Sequence, residues 1–151
     1  MKVHIYHHGA EEQPDAVNIC LDAVPNDIDA LNEFVDDAEA TQIILEEALD
    51  YIPLKELADF LETTVRKLRH GGKLIVVGTD ALAVAKDFSQ YKIPIEDFNI
   101  LLHGGEKEPR QVKTATLTMH GIVNFLRNEY GLRILRQTID DYTYVVEAQR
   151  P

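Results

Sequence analysis

The reactive side chains of this chain gather in four short places. His7, His8 and Gly9 end the segment VHIYHHG; Cys20 ends VNIC, with Asp22 two residues on; Glu46 and Glu47 follow TQIIL; Thr79 and Asp80 follow LIVVG. Imidazole titrates near neutral pH, so a histidine beside a carboxylate suits general acid–base work. His7, His8 and Glu47 are the candidate catalytic residues on that ground. The alternative is a polar crevice that does no chemistry. His7 and His8 with Glu46 or Glu47 would also make a mixed nitrogen–oxygen donor set for a divalent ion. Adjacent strand residues point to opposite faces, however, so two neighbouring imidazoles do not grip one ion while the strand lasts. No metal is expected.

For these groups to meet, each must leave the same end of a sheet, because ligands of parallel α/β sheets bind outside the carboxyl ends of the strands. Lys2–Tyr6 reads as a strand and Ala16–Leu21 as a second. GAEEQPD between them has turn chemistry and no helical face. A weak third strand is expected at Ile28–Phe34, and a buried one at Thr41–Leu45. Pro53 suits the first turn of a helix. Leu54, Leu57, Ala58, Leu61, Val65 and Leu68 then recur at three and four, one apolar stripe. Gly71 and Gly72 are expected to stop that helix. Four apolar residues at Leu74–Val77 suggest a strand buried on both faces.

Ala81–Phe88 reads as a helix, and Pro94 breaks the stretch beyond it. Leu101–Gln111 reads as a loop, and Leu117–Tyr130 as a helix ended by Gly131. LRILRQT and YTYVVEAQ alternate around Asp140–Asp141 and read as an antiparallel hairpin. Strands separated by helices imply right-handed crossovers. The expected fold is α/β: one domain over 1–151, a mostly parallel sheet with an antiparallel C-terminal hairpin and helices on both faces.

The chain has 151 residues, enough for one substantial core, with 26 acids against 15 Lys and Arg and a net charge of -11. That balance opposes nucleic-acid binding, which needs clustered cations, and docking on an anionic membrane. Cys20 is the sole cysteine, so neither an internal disulfide nor a thiolate zinc cluster can form. No apolar run is long enough to span a bilayer, and MKVHIYHHG lacks a signal-peptide core. A cytoplasmic setting is expected.

The central segment ALDYIPLKELADFLETTVRKLRHGGKLIVVGTD resembles the class I S-adenosylmethionine-dependent methyltransferases, most closely the compact phage and bacterial kind. Leu49, Asp50, Tyr51 and Ile52 stand where that family has a Leu-Glu-His-Ile signature. Arg66, Leu68, Gly71 and Gly72 match its R-x-L-K-P-G-G turn, with His70 where proline is usual. His103–Gly105, Lys113, Thr118, EYGLRI and YVVEAQRP are similar to its late segments. The resemblance implies a Rossmann-like methyltransferase sheet and S-adenosylmethionine as cofactor.

It also implies where the cofactor would sit. The family places a glycine-rich loop after the first strand, so that backbone lies close beneath the methionine part of the ligand. Here Tyr6, His7 and His8 take those places and only Gly9 remains. Cys20 stands where an acid would hold the ribose hydroxyls, and a thiol serves that role poorly; Asp22 takes it if the strand shifts. The adenine contact falls near Phe34–Asp37. The implied cofactor-binding residues are Tyr6, His8, Gly9, Cys20, Asp22, Asp37, Leu45 and Glu46. Two readings stay open: a small methyltransferase with an atypical cofactor loop, or an inactive pseudoenzyme acting through contacts.

Outside that crevice, Lys107, Arg110 and Lys113 form the local cation cluster, which could meet an anionic group but is expected to be a solvated loop. His70, His103 and His120 are expected at the surface. The flat hairpin edge and the tyrosines of the last strand suggest a homodimer. The sequence does not name a methyl acceptor, small molecule or protein.

Overall fold

In a computed structural model the described residues are all but 8, 22–26 and 106–111, with residues 27 and 28 described by backbone alone. The strands are β1 (Lys2–Tyr6), β2 (Val17–Cys20), β3 (Ala40–Glu46), β4 (Leu68–Thr79), β5 (Arg133–Asp140) and β6 (Thr143–Gln149). The helices are α1 (Asp27–Phe34), α2 (Leu54–Lys67), α3 (Ala81–Ser89), α4 (Ile95–His103) and α5 (Met119–Tyr130), with a 3-10 turn at Leu49–Tyr51. They surround a six-stranded sheet of order β2-β1-β3-β4-β6-β5. The first four strands of that order are parallel; β6 pairs antiparallel with both β4 and β5.

Period-two alternation decides which side of the sheet is apolar. Val3, Ile5, Ile19, Ile43, Leu45, Leu74, Val76, Tyr144, Val146 and Ala148 all point one way and are buried in one core cluster. Leu31 and Val35 from the α1 region, Leu57, Phe60, Leu61 and Val65 of α2, and Ile122, Val123 and Leu126 of α5 close over them. His4, Tyr6, Asn18, Cys20, Glu46, Thr79 and Glu147 alternate onto the other face. Over β1 and β2 that face is covered by the β1–β2 connection itself. Asn18 Nδ2 donates to the carbonyls of Gln13 (2.9 Å) and Ala16 (3.1 Å), and Asn18 Oδ1 accepts from Gln13 N (3.0 Å).

Four local expectations change. Ile28–Phe34 is the helical α1, not a strand: Leu31 and Val35, one turn apart, are both buried while Phe34 points outward. The glycines do not cap α2. The chain leaves the helix at Leu68 in extended backbone and enters β4 directly, six residues before the apolar run. Gly71, at φ +74°, instead makes a bend where the β3–β4 register breaks, and its N–H donates to the Arg150 carbonyl at 2.8 Å. The buried stripe of α2 uses Phe60 and Thr64, whereas Leu54 and Ala58 are exposed. Leu101–His103 are the last residues of α4, which begins just after Pro94 and packs Phe98 on Phe88 of α3, ring centres 4.3 Å apart.

Candidate functional site

The parallel strands β1, β2, β3 and β4 end together at Tyr6, Cys20, Glu46 and Thr79. The chain turns sharply as it leaves two of them. Glu47 takes φ +52° directly after β3 and Gly9 takes φ +96° after β1. A non-glycine residue in left-handed backbone stores strain of the kind found at functional sites. His7, Gly9, Ala10, Glu46 and Glu47 line one cavity of about 250 Å³ between these exits. Three carboxyl-end candidates from the sequence, His7, Glu46 and Glu47, thus share one small polar space.

One wall, His7, belongs to a pair of stacked rings. His7 lies flat on Tyr51, ring centres 3.5 Å apart and planes 5° from parallel, and His7 is 8% exposed. His7 leaves β1 and Tyr51 ends the 3-10 turn beyond β3, so the stack bridges the exits of two adjacent parallel strands. Tyr6 is not part of that closure. It alternates to the polar face, where its hydroxyl donates to Glu12 Oε1 at 3.0 Å beside its strand partner Cys20. Burial, then the Glu12 carboxylate, pushes the Tyr6 phenol up to about 12.

The residue that sequence reasoning missed is His4. It is fully buried at the middle of β1, with Nδ1 3.0 Å from Asn18 Oδ1 and Nε2 2.7 Å from Glu46 Oε2. The backbone contacts of Asn18 fix its amide with the oxygen toward His4, so Nδ1 is the donor. Nε2 then faces the Glu46 carboxylate at 2.7 Å. Glu46 is 40% exposed at the cavity wall, so a buried imidazole orients an accessible acid. Such a carboxylate can accept a ligand hydroxyl or take a proton. The available signal was a histidine alternating with Val3 and Ile5 in a strand, a polar side chain at a position that must find partners.

The remaining candidates lie elsewhere. Leu45 is fully buried in the apolar core, so its side chain has no surface to offer a ligand. Asp37 sits before β3, at the end of the sheet opposite the crevice, paired with Lys67 (2.8 Å) and Arg66 (3.2 Å). Those cations hold its carboxyl below the usual range. His8, Asp22, Lys107 and Arg110 lie outside the described residues. Asp80 is a helix cap, not a crevice acid: Oδ2 accepts from Ala83 N (2.9 Å) and Oδ1 from Met119 N (2.8 Å), joining the starts of α3 and α5. His70, His103 and His120 are exposed, as expected.

Lys113 is the sharpest departure. Its side chain is only 9% exposed and is partnered, not solvated: Nζ lies 3.2 Å from Asp50 Oδ2 and donates to Thr79 Oγ1 (3.0 Å) and the Leu101 carbonyl (2.9 Å). Asp50 is 2% exposed, and burial outweighs Lys113 to hold its carboxyl above the ordinary range. Among the described residues neither Asp50 oxygen accepts a well-aligned hydrogen bond, and the nearby Tyr144 hydroxyl makes none. This cluster ties α4 to the ends of β3 and β4.

Among the described residues no group of three or more His, Cys, Asp or Glu is placed to hold a metal ion, and no helix is long and apolar enough to cross a membrane. No family model matches the chain, and no curated protein matches its sequence. Solved structures do match. A S-adenosylmethionine-dependent methyltransferase from Methanosarcina mazei is similar at TM-score 0.58 and 15% identity, over 93% of this chain and 69% of that one. The 1,6-didemethyltoxoflavin-N1-methyltransferase of Burkholderia thailandensis, solved with S-adenosylhomocysteine, gives TM-score 0.57 and 9% identity over 99% and 71%. Magnesium protoporphyrin IX methyltransferase from Synechocystis, with bound SAH, gives 0.52 and 14% over 90% and 52%. This chain spans 60% and 52% of the length of the first two solved chains it matches, so it is much shorter than they are. The strand order, the antiparallel final hairpin and these superpositions agree on one architecture: the chain has the fold of the class I S-adenosylmethionine-dependent methyltransferases.

Proposed function

We propose that this protein is a methyltransferase-like module whose cofactor crevice is closed, and that it acts through contacts with other proteins, not by methyl transfer. The observation that carries this reading is the His7–Tyr51 stack, two rings in van der Waals contact across the exits of β1 and β3. Backbone without side chains would let the methionine part of the cofactor approach there; imidazole and phenol do not. Beside the stack lie a cavity of about 250 Å³ and a second of about 560 Å³ that shares Gly9, Ala10 and Glu46 with it and is lined by the β1–β2 connection, so the rings and not a lack of volume are the obstacle. With those two rings in contact, the residues present do not fit S-adenosylmethionine in the manner that the resemblance implies.

A ligand that binds only the native state stabilises it by RT ln(1 + [L]/Kd), about 2.7 kcal/mol at a hundredfold excess over Kd. Millimolar S-adenosylmethionine or S-adenosylhomocysteine is expected to leave the wild-type melting temperature unchanged. His7→Gly with Tyr51→Ala is expected to gain a shift. A clear shift in the wild type would overturn the closed-crevice reading.

A second reading is favoured by Glu46. Its accessible carboxylate, held by His4 at 2.7 Å, is placed as a base beside the crevice. If the stack opens, proximity would supply most of the rate and Glu46 or Glu47 would deprotonate an acceptor. Methyl incorporation from labelled S-adenosylmethionine, abolished by Glu46→Gln, is the result that would favour this enzyme.

A further inference from the structure

We infer that β5 is a self-pairing edge and that two copies of this chain join there into one continuous sheet. The strand ends the sheet, and among the described residues nothing pairs with its outer side. An unpaired row of backbone donors and acceptors is a template for another strand. All eight residues but Ile134 are exposed, including Leu135 (40%) and Ile139 (43%). The irregularity between Ile134 and Arg136 ends the regular ladder, leaving Arg136–Asp140 as the flat pairing segment.

The charges select a second copy as the occupant. The protein carries a net charge of -11, yet Arg136–Asp140 holds one cation and one anion, at its two ends. Both lie on the sheet face of Glu147 and Thr143, their β6 partners. Glu147 is already taken by Lys73 at 2.7 Å, and among the described residues neither Arg136 nor Asp140 has an ion-pair or hydrogen-bond partner. An antiparallel pairing about a two-fold axis through Thr138 sets Arg136 of each copy against Asp140 of the other. It also sets Ile139 against Gln137 on the opposite face. Opposite charges directly across a ladder stabilise it. Centring the axis on Gln137 or Ile139 loses both ion pairs, and centring it on Arg136 opposes like charges. The relation is isologous, so it closes at two copies. A five-residue ladder is a small interface, and the dimer is correspondingly weak.

Sedimentation equilibrium of the full chain, from about 10 μM to about 1 mM, is expected to show dimers whose fraction rises across that range, with a Kd on the order of 100 μM. Arg136→Asp and Asp140→Arg should each weaken the dimer tenfold or more, while the double exchange should restore it. Circular dichroism confirms that each variant is folded. In a Cys20→Ser background, Thr138→Cys should form a cross-linked dimer on mild oxidation, because residue 138 meets its own copy. A strict monomer at the highest concentration, or single variants that dimerise like the wild type, would overturn the proposal.

Discussion

At the scale of single residues, the buried charge pair is the most consequential arrangement. Lys113 and Asp50 are both nearly inaccessible, so removing one partner strands the other charge. Lys113→Met is expected to lower stability by about 3–5 kcal/mol, while Lys113→Met with Asp50→Leu costs much less. Urea unfolding of the three variants checks this; a single-variant loss under about 1 kcal/mol would mean that the pair is not dry. Neither residue announced itself. Asp50 reads as an acid near a helix start, and Lys113 as one of several cations in a polar stretch. Their burial depends on α4 lying over the ends of β3 and β4, and α4 itself is masked in the sequence by Pro94. His4 is similar. Its alternation in the strand was visible, but its partner Glu46 is 42 residues away and appears only when the β1–β3 register is known.

At the scale of elements, one carboxylate caps the starts of both α3 and α5, beside a backbone hydrogen bond from Ala81 N to the Leu117 carbonyl. Asp80 accepts from the first turns of both helices. Loss of one N-cap typically costs about 1 kcal/mol, so Asp80→Ala is expected to cost roughly 2. Asp80→Asn keeps one good acceptor and should lose less. Thermal unfolding of both variants tests the order, and equal losses would deny the double cap. Elements with a strong local signature were legible. The strand β1, the apolar run inside β4 and the helix ended by Gly131, which takes φ +65°, all stand where the residues put them. Elements with a weak signature were not. In and just after α1, Ala30, Leu31 and Val35 fit a helical face as well as an edge strand, and the core chose the helix. The Gly71–Gly72 pair looked like a helix stop because glycine tolerates left-handed backbone, but the same freedom serves the bend in β4.

At the scale of the molecule, Tyr6 and Tyr142, together with the buried Tyr144, contribute an alkaline limit. Burial, with Glu12, raises the Tyr6 phenol to about 12, and the Asp87 hydrogen bond at 2.6 Å, then burial, does the same for Tyr142. An unfolded tyrosine releases its proton near 10. Between about pH 10 and pH 12 the native state therefore holds more protons than the unfolded state, and stability falls as pH rises. Below pH 10 the contribution is complete. Urea midpoints measured from pH 8 to 12 should drop above pH 10, and Tyr6→Phe with Tyr142→Phe should flatten the drop. An unchanged slope in the double variant would assign alkaline unfolding to other groups.

The sequence by itself determined the α/β class, the parallel-leaning sheet, the closing hairpin and the wealth of acids. Those follow from periodicities of two and of three to four, which are written within a few neighbouring residues. Tertiary structure alone decided that His7 would lie on Tyr51, that His4 would hold Glu46, that Leu45 and Asp37 would sit away from the crevice and that Lys113 would pair with Asp50. Each of these depends on strand order and register, and a side chain's distant neighbours are fixed only when separate elements close on one core.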